Sequence, residues 1–145
     1  MNPLKWILEK TIDTELIQSC KAIKIFVAAT TVRTGHARIF KGHEVTIDVL
    51  LASACIPSLF QAVVIDGEPY WDGGYMGNPV VWPLIYYTES RDIMLVQINP
   101  LFRKETPYHS YEIMNRLNEI TFNSSLIAEM RAINFVSKLI QIQIV

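Results

Sequence analysis

An Asp-Gly pair between two short apolar runs is the feature that most restricts how this chain can fold. Asp66-Gly67 separates Val63–Ile65 from Glu68–Trp71. Two-residue hairpin turns of the primed type need positive φ at their central residues, and Asp-Gly is a preferred pair at those positions. The sequence therefore predicts a β-hairpin over residues 63–70.

The rest of the chain alternates between helical and strand periodicity. The other predicted elements are a helix or loop-helix over 3–20, strands over 22–31 and 36–40, a helix over 45–55, a helix opened by Asn78-Pro79, a buried strand over 92–98, one long helix from Tyr108 onward or two with a break at 123–125, and a strand-like end at 141–145. The almost continuous apolar content of 22–31 is typical of a strand in a parallel sheet. Pro83 is expected to strain or shorten the helix that begins near Asn78. This order of elements implies an α/β fold class.

Composition and charge exclude several classes of protein. The chain has 145 residues with 13 Lys+Arg against 14 Asp+Glu, which argues against nucleic-acid binding through a broad basic surface. Its 50% hydrophobic content excludes a disordered chain. No apolar stretch approaches the ~18 residues of a transmembrane segment. The N-terminal residues do not resemble a signal peptide. Cys20 and Cys55 are expected to be reduced thiols in the core. These two features favour the cytoplasm slightly, but the sequence does not fix the location of the protein.

A carboxylate followed by two glycines, Asp72-Gly73-Gly74, stands directly after the second hairpin strand. Paired glycines allow the main chain to approach a neighbour closely, which would hold the short aspartate side chain at the edge of the sheet among backbone N–H groups. Catalytic groups in open α/β sheets tend to lie at the carboxyl ends of strands. Asp72 is therefore a candidate general base, although on this pattern alone turn closure is the commoner role.

The segments around this motif form a combination that is more specific than any one of them. An A-S-x-x-I-P helix end at 52–57 leads through the hairpin to the D-G-G motif, Gly77-Asn78-Pro79 and Pro83-Leu84-Ile85, and Ala28-Ala29-Thr30 forms the preceding strand. Together these segments resemble the C-terminal half of the patatin-like phospholipase domain, over about residues 20–100.

The resemblance implies a lipid acyl hydrolase that uses a Ser-Asp dyad on an acyl-lipid substrate, without a metal or organic cofactor. Asp72 is then the proton acceptor, and Gly73 and Gly74 form its motif loop. An ordinary aspartate, with a pKa of about 3.9, is a weak base at neutral pH, so a partly desolvated site would be needed. The implied fold is an incomplete three-layer α/β/α patatin-like fold with a mixed sheet. Residues 1–100 would be the C-terminal portion of the hydrolase domain and 101–145 a helical C-terminal extension.

The sequence departs from the family pattern at the nucleophile. None of its serines lies in a G-x-S-x-G segment, and Gly35 is the first glycine of the chain. Ser53 is predicted to be a helix hydroxyl bonded back to a carbonyl, and Cys55 an inert thiol. His36, His43 and His109 do not have the spacing of metal ligands.

Several roles follow for a chain with the base but no nucleophile. It is expected to be a fragment that is inactive alone, or one half of a split hydrolase completed by an upstream half or partner chain. Alternatives are a non-catalytic interaction module, a homo-oligomer, and a product with no selected role. Five aromatic residues near the motif are expected mainly to pack in the core, with an acyl-chain cleft as the other possibility: Tyr70, Trp71, Trp82, Tyr86 and Tyr87.

Overall fold

A computed structural model describes residues 2–143 and divides the chain into two compact units, Met1–Arg91 and Asp92–Val145. The first unit contains the predicted hairpin, a sheet and four short helices. The second unit contains one long helix. The predicted domain limits at residues 100 and 101 stay a prediction, because compactness alone does not delimit a family domain.

Four strands form the sheet of the first unit, in the order β2-β1-β4-β3. They are β1 (Phe26–Thr31), β2 (Ala37–Lys41), β3 (Val63–Ile65) and β4 (Glu68–Asp72). The α/β fold class is confirmed. Every strand pair within residues 2–143 is antiparallel, including both pairs of β1, so the parallel pairing expected for residues 22–31 is not observed. A strand with a neighbour on each side is apolar because it is central, whatever the direction of its neighbours.

The hairpin predicted over residues 63–70 is confirmed. Asp66 has φ 50° and Gly67 has φ 80°, which are the positive values that the primed turn needs. Val63 is opposite Tyr70 across the pair β3-β4. The turn therefore sets the register that brings the end of β4 beside β1.

Residues 3–20, for which the sequence predicts a helix or loop-helix, form two helices. They are α1 (Pro3–Thr11) and α2 (Thr14–Ser19). The carboxylate of Asp13 accepts a hydrogen bond from the Leu16 N–H at 2.9 Å, so Asp13 caps a new helix and does not continue the first.

The predicted helix over 45–55 is observed as α3 (Ile47–Ser53), capped at its start by the Thr46 side chain. Its residues Val49 and Ala52 are buried against the sheet. The core cluster consists of Ala29, Phe40, Val49, Ala52 and Tyr70. Because Ala29 lies in β1 directly opposite Asp72, this core adjoins the candidate site.

The helix predicted to open at Asn78-Pro79 begins later, as α4 (Trp82–Tyr87). Pro83 lies in its first turn, where the missing N–H of proline costs no helical hydrogen bond. A helix that began at residue 78 would have placed Pro83 in its interior, where the ring clashes with the preceding turn. The position of Pro83 therefore determines where this helix begins.

In the second unit, the buried strand predicted over 92–98 is wrong. These residues form no strand, and Met94 and Ile98 are each 90% exposed. A strand needs a neighbour for its backbone hydrogen bonds, and none of residues 2–143 pairs with this segment.

The C-terminal helix is continuous, as α5 (Ser110–Gln143). The break considered at 123–125 is not observed, because the Asn123 amide bonds to Gln97 and to the carbonyl of Pro100 and does not compete for its own backbone. Residues 141–143 are helical, so the strand-like prediction is wrong for them, and residues 144 and 145 lie outside the described part. Within residues 2–143, no helix combines the length and hydropathy needed to span a membrane.

Replacing Gly67 by alanine is expected to destabilise the first unit by about 1–2 kcal/mol, because a Cβ disfavours the positive φ of this turn position. Urea denaturation of the whole chain measures the change. Asp66→Asn is the matched control, since asparagine tolerates positive φ. A loss of stability equal in the two variants would contradict the assignment of the turn.

Candidate active site

Asp72 is the last residue of β4, and its backbone is held from two sides. Its N–H donates to the carbonyl of Cys55 at 2.9 Å, beyond the end of α3. Its carbonyl accepts a hydrogen bond from the Thr30 hydroxyl in β1 at 2.8 Å. The candidate base is therefore anchored to the central strand and to the segment after α3.

The carboxylate of Asp72 makes one hydrogen bond at the turn that follows. Its Oδ1 accepts from the Gly74 N–H at 2.7 Å and so caps the short 3₁₀ turn Gly73–Tyr75. The hydrogen bond from Gly74 favours the charged form of this carboxylate. The loop thus orients one of its two oxygens.

Gly73 is required by the close approach of this loop to β1. A Cβ at Gly73 would lie 2.2 Å from the Ala28 carbonyl oxygen, which is backbone and cannot move away cheaply. A Cβ at Gly77 would lie 2.3 Å from Cγ2 of Val80. Gly73 thus lets the Asp72 loop pack directly on the sheet, and Gly77 lets the following segment turn closely over Val80.

A cavity of about 190 Å³ adjoins Asp72. Its polar side chains are those of Asp72, Ser53 and Asn78, and the rest of its wall is apolar or glycine. Its full lining is Phe26, Ala28, Ile39, Ser53, Asp72, Gly73, Gly74, Gly77, Asn78, Pro79, Val80 and Pro83. The site thus places one carboxylate on a small cavity whose surface is about equally polar and apolar.

Burial raises the pKa of Asp72 above the ordinary value of an aspartate, and the hydrogen bond from Gly74 partly opposes this rise. Burial also raises the pKa of the Cys55 thiol, and the negative charge of Asp72 adds to that effect. The pKa of Tyr75 is raised by the same two causes. The desolvation that the sequence analysis required of a useful aspartate base is therefore present.

The other two candidates near the motif have structural partners. The Ser53 hydroxyl donates to the carbonyl of Leu50 at 2.8 Å, which confirms the predicted back-bond, although Ser53 also lines the cavity. Cys55 is buried as predicted, and its thiol donates to the carbonyl of Gln61 at 3.1 Å. Cys20 is only half-buried, so its prediction as a core thiol is wrong.

The aromatic residues near the motif divide into three groups, of which Trp71 by itself is half-buried. Tyr70 is buried and packs edge-on against Phe40, with ring centroids 5.5 Å apart, which confirms the core prediction for it. Trp82, Tyr86 and Tyr87 are exposed on α4, so that prediction is wrong for them. None of the five lines the Asp72 cavity. Its aromatic residue is Phe26, which the sequence analysis did not single out because it reads as an ordinary strand residue.

The histidines lie on different elements of the chain. His36 precedes β2, His43 follows it, and His109 precedes α5. Within residues 2–143, no group of three or more His, Cys, Asp or Glu side chains is placed to hold a metal ion.

Comparison with known proteins assigns the family. A family model described as patatin-like phospholipase matches residues 2–85, which include the sheet, the Asp72 loop and the cavity. The chain belongs to the patatin-like phospholipase family. A search of curated protein sequences found no match to the chain.

Gly73→Ala is expected to destabilise the protein by at least about 2 kcal/mol, because the new Cβ would overlap the Ala28 carbonyl. Gly42→Ala is the matched control, since the nearest atom to its Cβ would be 3.8 Å away. Thermal denaturation of both variants measures the difference. Equal melting temperatures would show that the loop does not pack on β1 as described.

Asp72→Asn is expected to stabilise the fold at neutral pH. A raised pKa in the folded state means that folding favours the protonated carboxyl, so wild-type stability falls as the pH rises from the ordinary aspartate pKa through the raised one. Asparagine keeps the acceptor for Gly74 and carries no charge. Denaturation across acidic to neutral pH should show a flatter profile for the variant, and parallel profiles would contradict the raised pKa.

Proposed function

We propose that this chain contributes the general base of a lipid acyl hydrolase, with Asp72 as the proton acceptor for a serine that is not among these 145 residues. The observation that carries this proposal is a half-buried carboxylate, oriented by the Gly74 N–H, on a small cavity whose wall has both polar and apolar surface. The proposed substrate is an acyl ester of a glycerolipid, in keeping with the family.

The proposed chemistry is nucleophilic acyl transfer. As the serine Oγ attacks the ester carbonyl, Asp72 accepts the hydroxyl proton, and that proton then passes to the departing alcohol. Water then attacks the acyl-serine while Asp72 accepts a proton from it, and Asp72 returns that proton to the serine Oγ as the fatty acid departs. The raised pKa of Asp72 supports this role, because a base is more effective when its pKa lies closer to the working pH.

The surroundings of Asp72 support a base that is fixed before the substrate arrives. The backbone contacts to Cys55 and Thr30 hold the residue, and Gly74 orients its carboxylate. A positioned group loses little freedom when the reaction begins, which favours proton transfer.

The proposed serine comes from a chain that carries the G-x-S-x-G segment of the family. The 145 residues contain no such segment. Ser53 is the serine at the cavity, but its hydroxyl is bonded to the Leu50 carbonyl within α3. The chain alone is therefore expected to show no ester turnover.

Co-expression with a polypeptide that carries the G-x-S-x-G half of a patatin-like domain is expected to produce hydrolysis of a short-chain nitrophenyl ester. Asp72→Asn should lower this activity by about 10²-fold or more, because the general base is lost. Asp66→Asn removes the same charge from the turn of the same hairpin and should leave the activity unchanged. Equal losses in the two variants would contradict the role of Asp72.

A fluorophosphonate probe, which labels activated serines, serves as the control for the chain alone. No labelling is expected without the partner, and labelling of the partner's serine is expected in the mixture. If the chain alone is labelled and Ser53→Ala removes the label, the nucleophile lies within this chain and the proposal of an external serine is wrong.

A second candidate function is a non-catalytic interaction module. The observation that favours it is the exposure of large apolar side chains in the second unit, including Met94, Ile98 and Phe102. A monodisperse chain that gains no activity from the partner would support this function. Activity that appears only in the mixture and depends on Asp72 would support the hydrolase.

A further inference from the structure

A second cleft of the first unit has a marked positive character. Its volume is about 420 Å³, and its lining includes Lys21, Lys24, Lys41 and His43 but no aspartate or glutamate. We call it the lysine cleft. In a chain whose net charge is -1, such a local excess of cations is not a consequence of composition.

Two of these lysines are held against the same residue, Tyr87 of α4. The Lys24 ammonium donates to the Tyr87 carbonyl at 2.8 Å. The Lys41 ammonium lies 4.0 Å from the centroid of the Tyr87 ring. Positive charges that line one cleft repel each other, and an anion bound in the cleft would relieve that repulsion.

Glu44, the carboxylate that is nearest to Lys41 in the sequence, already has other partners. Glu44 forms an ion pair with Arg38 at 2.6 Å and accepts the backbone N–H of Lys41. Within residues 2–143, none of Lys21, Lys24 and Lys41 forms an ion pair. The positive charge of the lysine cleft is therefore not neutralised by the protein itself.

The lysine cleft also adjoins the Asp72 cavity. Phe26 lines both, and its ring stacks on Tyr87 with centroids 5.9 Å apart. Ile23 and Ile25 add apolar surface to the wall of the lysine cleft. The cleft thus places ammonium groups beside apolar side chains, and it shares one aromatic wall residue with the cavity of the candidate base.

We infer that the lysine cleft binds a phosphate-type anion, either a phosphate group on a lipid or a soluble phosphate. Lysine ammonium groups bind phosphate as point charges, with hydrogen bonds that the charge strengthens. This inference needs neither the serine nor Asp72, so it can be tested without the hydrolase reaction.

The test measures binding of two probes to the whole chain at constant ionic strength. Inorganic phosphate is titrated by calorimetry, and phosphatidylcholine vesicles with and without phosphatidic acid are used for co-sedimentation. The double variant Lys24→Gln/Lys41→Gln is expected to weaken binding by about tenfold or more. Lys10→Gln/Lys138→Gln changes the net charge equally outside the cleft and should stay within about twofold of wild type.

The two probes distinguish the sources of the anion. Saturable binding of inorganic phosphate without binding to vesicles identifies a soluble phosphate, and lysine-dependent binding to phosphatidic acid vesicles alone identifies a lipid headgroup. No saturable binding of either probe would overturn the inference, as would equal losses in the two double variants. If circular dichroism shows that Lys24→Gln/Lys41→Gln is unfolded, Lys21→Gln, at an exposed position, takes its place. Its binding is then compared with wild type and with the control variant in the same way.

Discussion

The close approach between the Gly73 loop and β1 is the constraint on which the site depends. Only a residue without a Cβ fits against the Ala28 carbonyl, and this fit lets the loop turn immediately at the end of β4. With the loop in this position, the Asp72 N–H reaches the Cys55 carbonyl and the Gly74 N–H reaches the Asp72 carboxylate. A single steric requirement thus links the central strand, the end of α3 and the candidate base.

The chemistry proposed for Asp72 rests on a balance between two opposing effects. Burial beside the cavity disfavours the charged carboxylate, whereas the Gly74 N–H favours it. Several further donors would have produced a stable, weakly basic carboxylate, and full exposure would have left an ordinary one. One donor in a half-buried site keeps the carboxylate oriented while its basicity rises, which is useful to a dyad that has no histidine.

Phe26 lines both the Asp72 cavity and the lysine cleft. The first of these carries a carboxylate, and the second carries ammonium groups with no acidic side chain in its lining. In the two proposals, the ammonium groups attract the phosphate of a ligand, and the carboxylate acts on a proton rather than on a charge of the ligand. The second unit contains a different arrangement, in which the charge of the buried Glu119 carboxylate is compensated by ion pairs with Arg103 and Arg116.

The sequence by itself determined the features that depend on neighbouring residues: the Asp66-Gly67 turn, the α/β class, the back-bond of Ser53 and the family to which the D-G-G segment belongs. Only the tertiary structure decided the antiparallel direction of β1, the absence of a strand at 92–98 and the contacts of both Lys24 and Lys41 with Tyr87. The physical reason is the distance along the chain between the residues that interact. Turn geometry and proline restrictions act over a few residues, whereas strand pairing, desolvation and clustering of charge depend on partners that are distant in sequence.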